Sequence, residues 1–300
     1  MSELQKGVIA AILSNILFGV LYLYGRWMSP MSGTEVFAWR MVSMLLLLWL
    51  ILLFNRRTAE VTAYIRSIGT DWKKWLAILL PTPILASQLW LFMWGPLNGY
   101  GVDVAMGYFL FPLMMVLCGR IFLAEYVNRL QWLAVGFAAL GVMHELWQTH
   151  AFSWATLWIF ATYPLYYIPR RTLRVPVFTG LLIDLTFIAP ASLAYLLMQP
   201  HGMDVWSEPS KYWLLIPLLG CVSAAAMQLN LQASRLLPVT LFGMLSYLEP
   251  VLLFALAVMV LKAPVSAQSL ITYALIWTGL GLSLLDGWLK MRKPKHTLIP

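Results

Sequence analysis

The chain has 300 residues, 61% hydrophobic and 11% charged, with a formal net charge of +8, and its mean hydropathy is +0.78. Soluble globular domains carry about 25% charged residues, so the composition excludes a soluble fold and equally a disordered one. The basic excess does not point to nucleic acid: lysines and arginines occupy short connections between long apolar runs, where they orient helices in a bilayer.

A bilayer core requires about twenty apolar residues per helical span, and a backbone in lipid must bond to itself. Ten runs meet that description: 6–25, 35–54, 75–97, 102–123, 130–147, 153–169, 177–199, 211–235, 238–261 and 266–288. The first follows Glu3 and Lys6 without a small-residue cleavage pattern and reads as a retained span. The second carries Arg40. The connection 55–74 has an amphipathic pattern in Val61, Tyr64, Ile65, Ile68 and Trp72, which suits either a segment lying on the membrane surface or a plain loop. The third run holds Gln88, Trp90 and Trp94; the fourth opens on Asp103 and contains Tyr108, Pro112 and Cys118. Ala134 and Ala138 in the fifth, and Gly279 and Ser283 in the tenth, are spaced for close helix contact, in a scaffold or a dimer face. The seventh carries Asp184 and the eighth Cys221 and Gln228. Arg235 and Pro238 separate the eighth run from the ninth, where Glu249 precedes Pro250. Cys118 and Cys221 read as small buried residues, since a disulfide framework or metal site needs more.

With the N-terminus in the cytoplasm, Lys6, the cluster from Arg56 to Lys74, Arg120, Arg129, Arg170, Arg171, Arg174, Arg235 and the C-terminal basic residues fall inside. Arg26, Lys211 and Lys262 alone fall outside, which favours ten spans with both termini cytoplasmic. An internal repeat accompanies this count. Gly107–Pro112 with Gln131-Trp132 downstream matches Leu245–Pro250 with Ser269-Leu270 downstream, and Gln88-Leu89 upstream matches Gln228-Leu229. Two units of five spans, 1–150 and 151–300, would enter the membrane from opposite sides, the inverted repeat of many secondary transporters. In that arrangement Gln88 and Gln228 would face each other across the pseudo-axis.

Several stretches carry a family resemblance: Glu35 with Trp39-Arg40, Gln88 to Trp94, Leu97-Asn98, Gly107-Tyr108-Phe109 with Pro112-Leu113, and Gln131 to Val135. On these residues the chain resembles the EamA type of the drug/metabolite transporter superfamily, and within it the RarD-like permeases. The resemblance implies a ten-helix permease of a bacterial-type inner membrane that exports small metabolites or drugs. Two departures stand out. Lys262-Ala263 replaces an acidic residue often found after the ninth span, and Glu249 stands beside Pro250 where a small residue is common.

Each ionisable residue deep in a span costs about 2.5–3.5 kcal/mol on insertion scales and so requires a reason. Arg40 either holds an anionic group in a central cavity, or snorkels outward or pairs with Glu35. Glu249 either binds a cationic group or takes up a proton during a transport cycle, or else bonds to a neighbouring helix. Asp184 either joins that proton coupling or pairs with Arg171 or Arg174; Asp103 suits a helix N-terminus, and Asp286 the basic tail. Trp90 and Trp94 share a helix face, as an aromatic wall or as core packing. The reading is a secondary transporter working by alternating access, its substrate wall formed by Arg40, Gln88, Trp90, Trp94, Tyr108, Gln228 and Glu249. The substrate would be a small amphipathic, amino-acid-like molecule, with Arg40 on its carboxylate. A passive facilitator is the alternative. No phosphate loop, metal motif or nucleophile elbow occurs, so no cofactor is expected, and the partners are solute and lipid, in a monomer or homodimer.

Overall fold

The computed structural model describes residues 2–54, 57–150, 152–199, 211–252 and 267–292. The described chain is helical: α1 (Glu3–Trp27), α2 (Gly33–Phe54), α3 (Thr58–Ile68), α4 (Trp72–Leu79), α5 (Pro81–Trp94), α6 (Gly101–Phe122), α7 (Arg129–Thr149), α8 (Trp154–Thr172), α9 (Val177–Met198), α10 (Tyr212–Leu236), α11 (Val239–Leu245) and α12 (Ala267–Arg292). Starts are set by polar caps. Ser2 accepts from Gln5 N at 3.2 Å, Asn128 from Gln131 N at 2.8 Å and Asp71 from Lys73 N at 3.0 Å, each satisfying a backbone donor that the helix leaves open.

Among the described residues, six stretches are long and apolar enough to cross a bilayer: α1, α2, Trp72–Leu97, α6, α9 and α10. Trp72–Leu97 combines α4, α5 and a terminal 3-10 turn (Gly95–Leu97), with Pro81 in the first turn of α5, where its missing N–H is tolerated. Val239–Leu252 and Leu270–Asp286 are shorter apolar helical stretches. The ninth run breaks after Leu245 into a two-residue turn before helix resumes at 248–252, and its remainder lies outside the described residues. The connection 55–74 forms α3, with Val61 and Ile68 buried and Ile65 exposed.

Packing follows a regular scheme. α1 lies on α10 and α8 on α5; α2 meets α9, α6 meets α11 and α7 meets α12. Small residues allow the closest approaches. A Cβ on Gly279 of α12 would sit 2.7 Å from the Ala134 carbonyl and 3.2 Å from Ala138 N of α7. The two small-residue faces noted in the sequence therefore close on each other within the chain. A Cβ on Gly220 would lie 2.8 Å from Ser43 Cβ, so α10 and α2 cross there in near contact. One core cluster extends from α1 through α11, and a second joins α6, α7, α11 and α12.

Candidate functional site

Three of the expected wall residues, Arg40, Tyr108 and Glu249, come together in one cavity of about 30 Å³ between α1, α2, α5, α6, α8, α10 and the end of the α11 region. Phe92 and Phe111 add aromatic walls, with Tyr163 and Tyr167 from α8. Tyr163 and Tyr167 are four residues apart, so one face of α8 presents both rings, stacked at 5.8 Å. The Tyr108 and Tyr163 hydroxyls lie 3.4 Å apart, and Tyr167 donates to Asn230 Oδ1 at 2.6 Å.

Arg40 is fully buried. Its Nε donates to Ser223 Oγ at 3.0 Å, and its guanidinium carbon lies 5.9 Å from the Phe92 ring centre. Nη1 and Nη2 find no hydrogen-bond partner among the described residues. Glu35 does not supply one: its carboxylate accepts from Ser32 N at 2.7 Å at the start of α2. Glu249 lines the same cavity, and no ion pair joins it to Arg40. A desolvated guanidinium with open donors fits a planar anion such as a carboxylate, which it grips through two parallel bonds. The aromatic walls suit an apolar body. About 30 Å³ takes one or two waters, whereas small-molecule pockets run to about 300–1,000 Å³, so the helices must part to admit a solute.

The other expected wall residues lie elsewhere. The Gln88 side chain is buried against α8, donating to Thr162 Oγ1 at 2.6 Å and reaching the Trp158 and Ile159 carbonyls at 3.3 Å. Gln228 points to the opposite side of α10, into an open groove. Trp90 and Trp94 stack at 4.8 Å in a cluster with Tyr100 and Trp154 toward the α5–α6 turn, and Trp90 Nε1 donates to Thr34 Oγ1 at 3.1 Å. Phe92, Tyr163 and Tyr167 belong to the cavity lining but not to the expected wall. The spacing of the two tyrosines was the available signal.

Asp184 lies in a separate network, in which its carboxylate is fully engaged while Arg170 Nε and Nη1 find no hydrogen-bond partner among the described residues. It pairs with Arg170 and accepts from Thr82 Oγ1 at 2.6 Å and Tyr166 OH at 3.0 Å. Its partner is Arg170, not Arg171 or Arg174, because Arg170 is on the inward face of α8, three residues after Tyr167. Arg171 turns instead to Glu125, at 3.7 Å, and to the carbonyls of Ser234 and Leu237. Glu125 accepts from Val239 N at 2.7 Å and Thr240 N at 2.9 Å, tying the α6–α7 loop to the start of α11. Asp103 lies in the first turn of α6, as a helix-favouring acid would. Asp286 accepts from Asn128 Nδ2 at 2.6 Å; the basic tail beyond residue 292 is outside the described residues.

Comparison with known proteins sets this geometry in a family. A model described as the EamA-like transporter family matches residues 5–144. An uncharacterized transporter of Haemophilus influenzae is 42% identical over 294 residues, 98% of each chain. The chloramphenicol-sensitive protein RarD of Pseudomonas aeruginosa is 37% identical over 288 residues, 94% of each chain. A crystal structure 20% identical in sequence superposes with a TM-score of 0.68 over 94% of this chain and 98% of that one, a likeness of fold alone.

Proposed function

The chain belongs to the EamA-like transporter family and is a multi-pass membrane transporter, and from that premise we propose a secondary transporter that moves a small amphipathic anion or zwitterion by alternating access. The observation that carries the proposal is the buried Arg40 guanidinium, open at Nη1 and Nη2 inside an aromatic cavity that Glu249 also lines. A substrate carboxylate would bind Arg40 and its apolar body would lie against the Phe92, Tyr108 and Tyr163 rings. A substrate ammonium, or a proton exchanged for substrate, would occupy Glu249.

The architecture we propose is ten spans in two inverted repeats, 1–150 and 151–300. The packing scheme supports it. Exchanging the first five spans for the second five turns the α1–α10 contact into the α8–α5 contact, and pairs α2 with α9, α6 with α11 and α7 with α12. α7 and α8, with 21 and 19 residues, are about 31 and 28 Å long, enough for a core of about 30 Å despite their polar residues. The distribution of arginine and lysine supports an inner-membrane location with both termini cytoplasmic. Export is the direction the family resemblance favours.

The test is ligand-induced thermal stabilisation of the purified protein against amino acids, nucleosides and small carboxylate drugs, followed by flux in proteoliposomes. A stabilising carboxylate ligand whose effect disappears in Arg40→Met supports the site. A ligand that stabilises Arg40→Met as well as wild type moves the site elsewhere. Flux by Glu249→Gln with the wild-type pH profile ends the proton-exchange role.

A further inference from the structure

A groove of about 660 Å³ opens on the far side of α10 from the Arg40 cavity. Its lining starts beside the close approach of Gly220 to Ser43 and reaches the α2–α3 junction at Arg57 and Glu60. Residues Cys221, Ala225, Gln228, Gln232 and Arg235 form one stripe of α10 along it, spaced by three and four residues. From Cys221 to Arg235 this stripe rises about 21 Å. The distance from a bilayer's midplane to the edge of its headgroup layer is about 20–22 Å.

The groove is polarised along that length. Its closed end is apolar, with Leu47, Leu48, Ala224 and Ala225; its open end carries Arg57, Arg235, Glu3 and Glu60. Among the described residues neither Arg57 nor Arg235 forms an ion pair. Arg57 lies 5.1 Å over the ring of Phe178. The two cations suit a phosphate. The two carboxylates would repel a purely anionic headgroup and suit an ammonium that donates hydrogen bonds. Helix α3, which brings Glu60 to the rim, is short and amphipathic, as interfacial helices are.

We propose that this groove binds one phospholipid with a primary-amine headgroup, phosphatidylethanolamine in chemistry. Its phosphate lies between Arg57 and Arg235, its ammonium faces Glu60, and an acyl chain follows the α10 stripe toward Gly220. The proposal needs the chain to be a membrane bundle and is independent of any role for Arg40.

The test uses the full chain, delipidated in detergent and supplied with phosphatidylethanolamine, phosphatidylglycerol or phosphatidylcholine of identical acyl chains. Native mass spectrometry reads the fraction carrying one lipid. Wild type should retain phosphatidylethanolamine above the other two. The double variant Arg57→Gln, Arg235→Gln removes both phosphate contacts and should retain it at least about tenfold less. Glu60→Gln, on an exposed helix face, should move the preference toward phosphatidylglycerol, and Ala225→Trp should fill the apolar limb and expel the lipid. Equal retention of the three lipids by wild type would overturn the assignment. So would an unchanged preference in Glu60→Gln, or a lipid that survives Ala225→Trp.

Discussion

Arg40 and Arg170 are both buried in the helix bundle, at 0% and 7% exposure. Arg170 is held by an ion pair to Asp184, which also collects bonds from Thr82 and Tyr166, and its guanidinium stacks over the Tyr166 ring at 5.2 Å. Arg40 has one neutral hydrogen bond, to Ser223, and a more distant aromatic face. Each guanidinium keeps two nitrogens without a hydrogen-bond partner among the described residues, but Arg170 has a carboxylate bound to it and Arg40 faces a cavity. A charge answered by its own chain holds helices together; a charge left open is an energetic burden to the empty protein, and a ligand relieves it. That contrast, more than the identity of either residue, is what supports placing Asp184 in the scaffold and Arg40 in the proposed transport site.

The comparison can be broken most directly on its scaffold side. Asp184→Ala leaves Arg170 buried without its carboxylate and should destabilise the protein by about 3–5 kcal/mol. Thermal unfolding in detergent checks this, and a loss under about 1 kcal/mol would show that the network is dispensable. Arg40→Met should behave in the opposite way. Replacing this buried guanidinium with an apolar side chain of similar length removes its desolvation cost and should leave stability unchanged or raised, while flux is lost. If Arg40→Met unfolds as readily as Asp184→Ala, the two arginines are alike and the reading of an open ligand site fails.

These expectations separate what the sequence could reveal from what it could not. The helical runs were visible because lipid imposes length and composition on each, and Arg40 and Glu249 stood out because a charge in such a run is costly. That Arg40, Tyr108 and Glu249 share one cavity is only partly legible: Glu249 falls near the middle of its run, whereas Arg40 and Tyr108 lie about two turns into α2 and α6. The directions of Gln88 and Gln228 are not legible. α5 carries Gln88 as its lone amide, and α10 spreads Gln228, Asn230 and Gln232 over two faces, so neither pattern fixes which amide turns inward. Gln88 consequently ties α5 to α8, and Gln228 opens on the outer groove. The choice of Arg170 over Arg171 and Arg174 as the partner of Asp184 depended on the rotation of α8, which a run of three arginines in five residues conceals.

A more conservative change sharpens the contrast. Arg40→Lys keeps the positive charge but removes the planar fork, so a carboxylate would lose one of two parallel bonds. Flux at low substrate concentration should fall about tenfold, the equivalent of about 1.4 kcal/mol, with melting temperature little changed. Wild-type flux in Arg40→Lys would mean that the site uses a point charge and does not grip a planar anion.

The smallest effects come from the neutral partners, and they test whether the difference extends beyond the charges. Thr82→Val removes one of three donors to Asp184, and Ser223→Ala removes the hydrogen bond that the Arg40 side chain makes within the fold. Side-chain bonds between membrane helices average about 0.6 kcal/mol, so the two substitutions should cost similar small amounts of stability. Their functional outcomes should diverge. Thr82→Val leaves Asp184 with Arg170 and Tyr166 and should transport normally. Ser223→Ala frees the Arg40 guanidinium to rotate, so the apparent affinity for substrate should weaken while stability stays close to that of Thr82→Val. Equal flux in the two variants would mean that Ser223 does not orient Arg40, and that the aromatic walls alone hold the guanidinium in place.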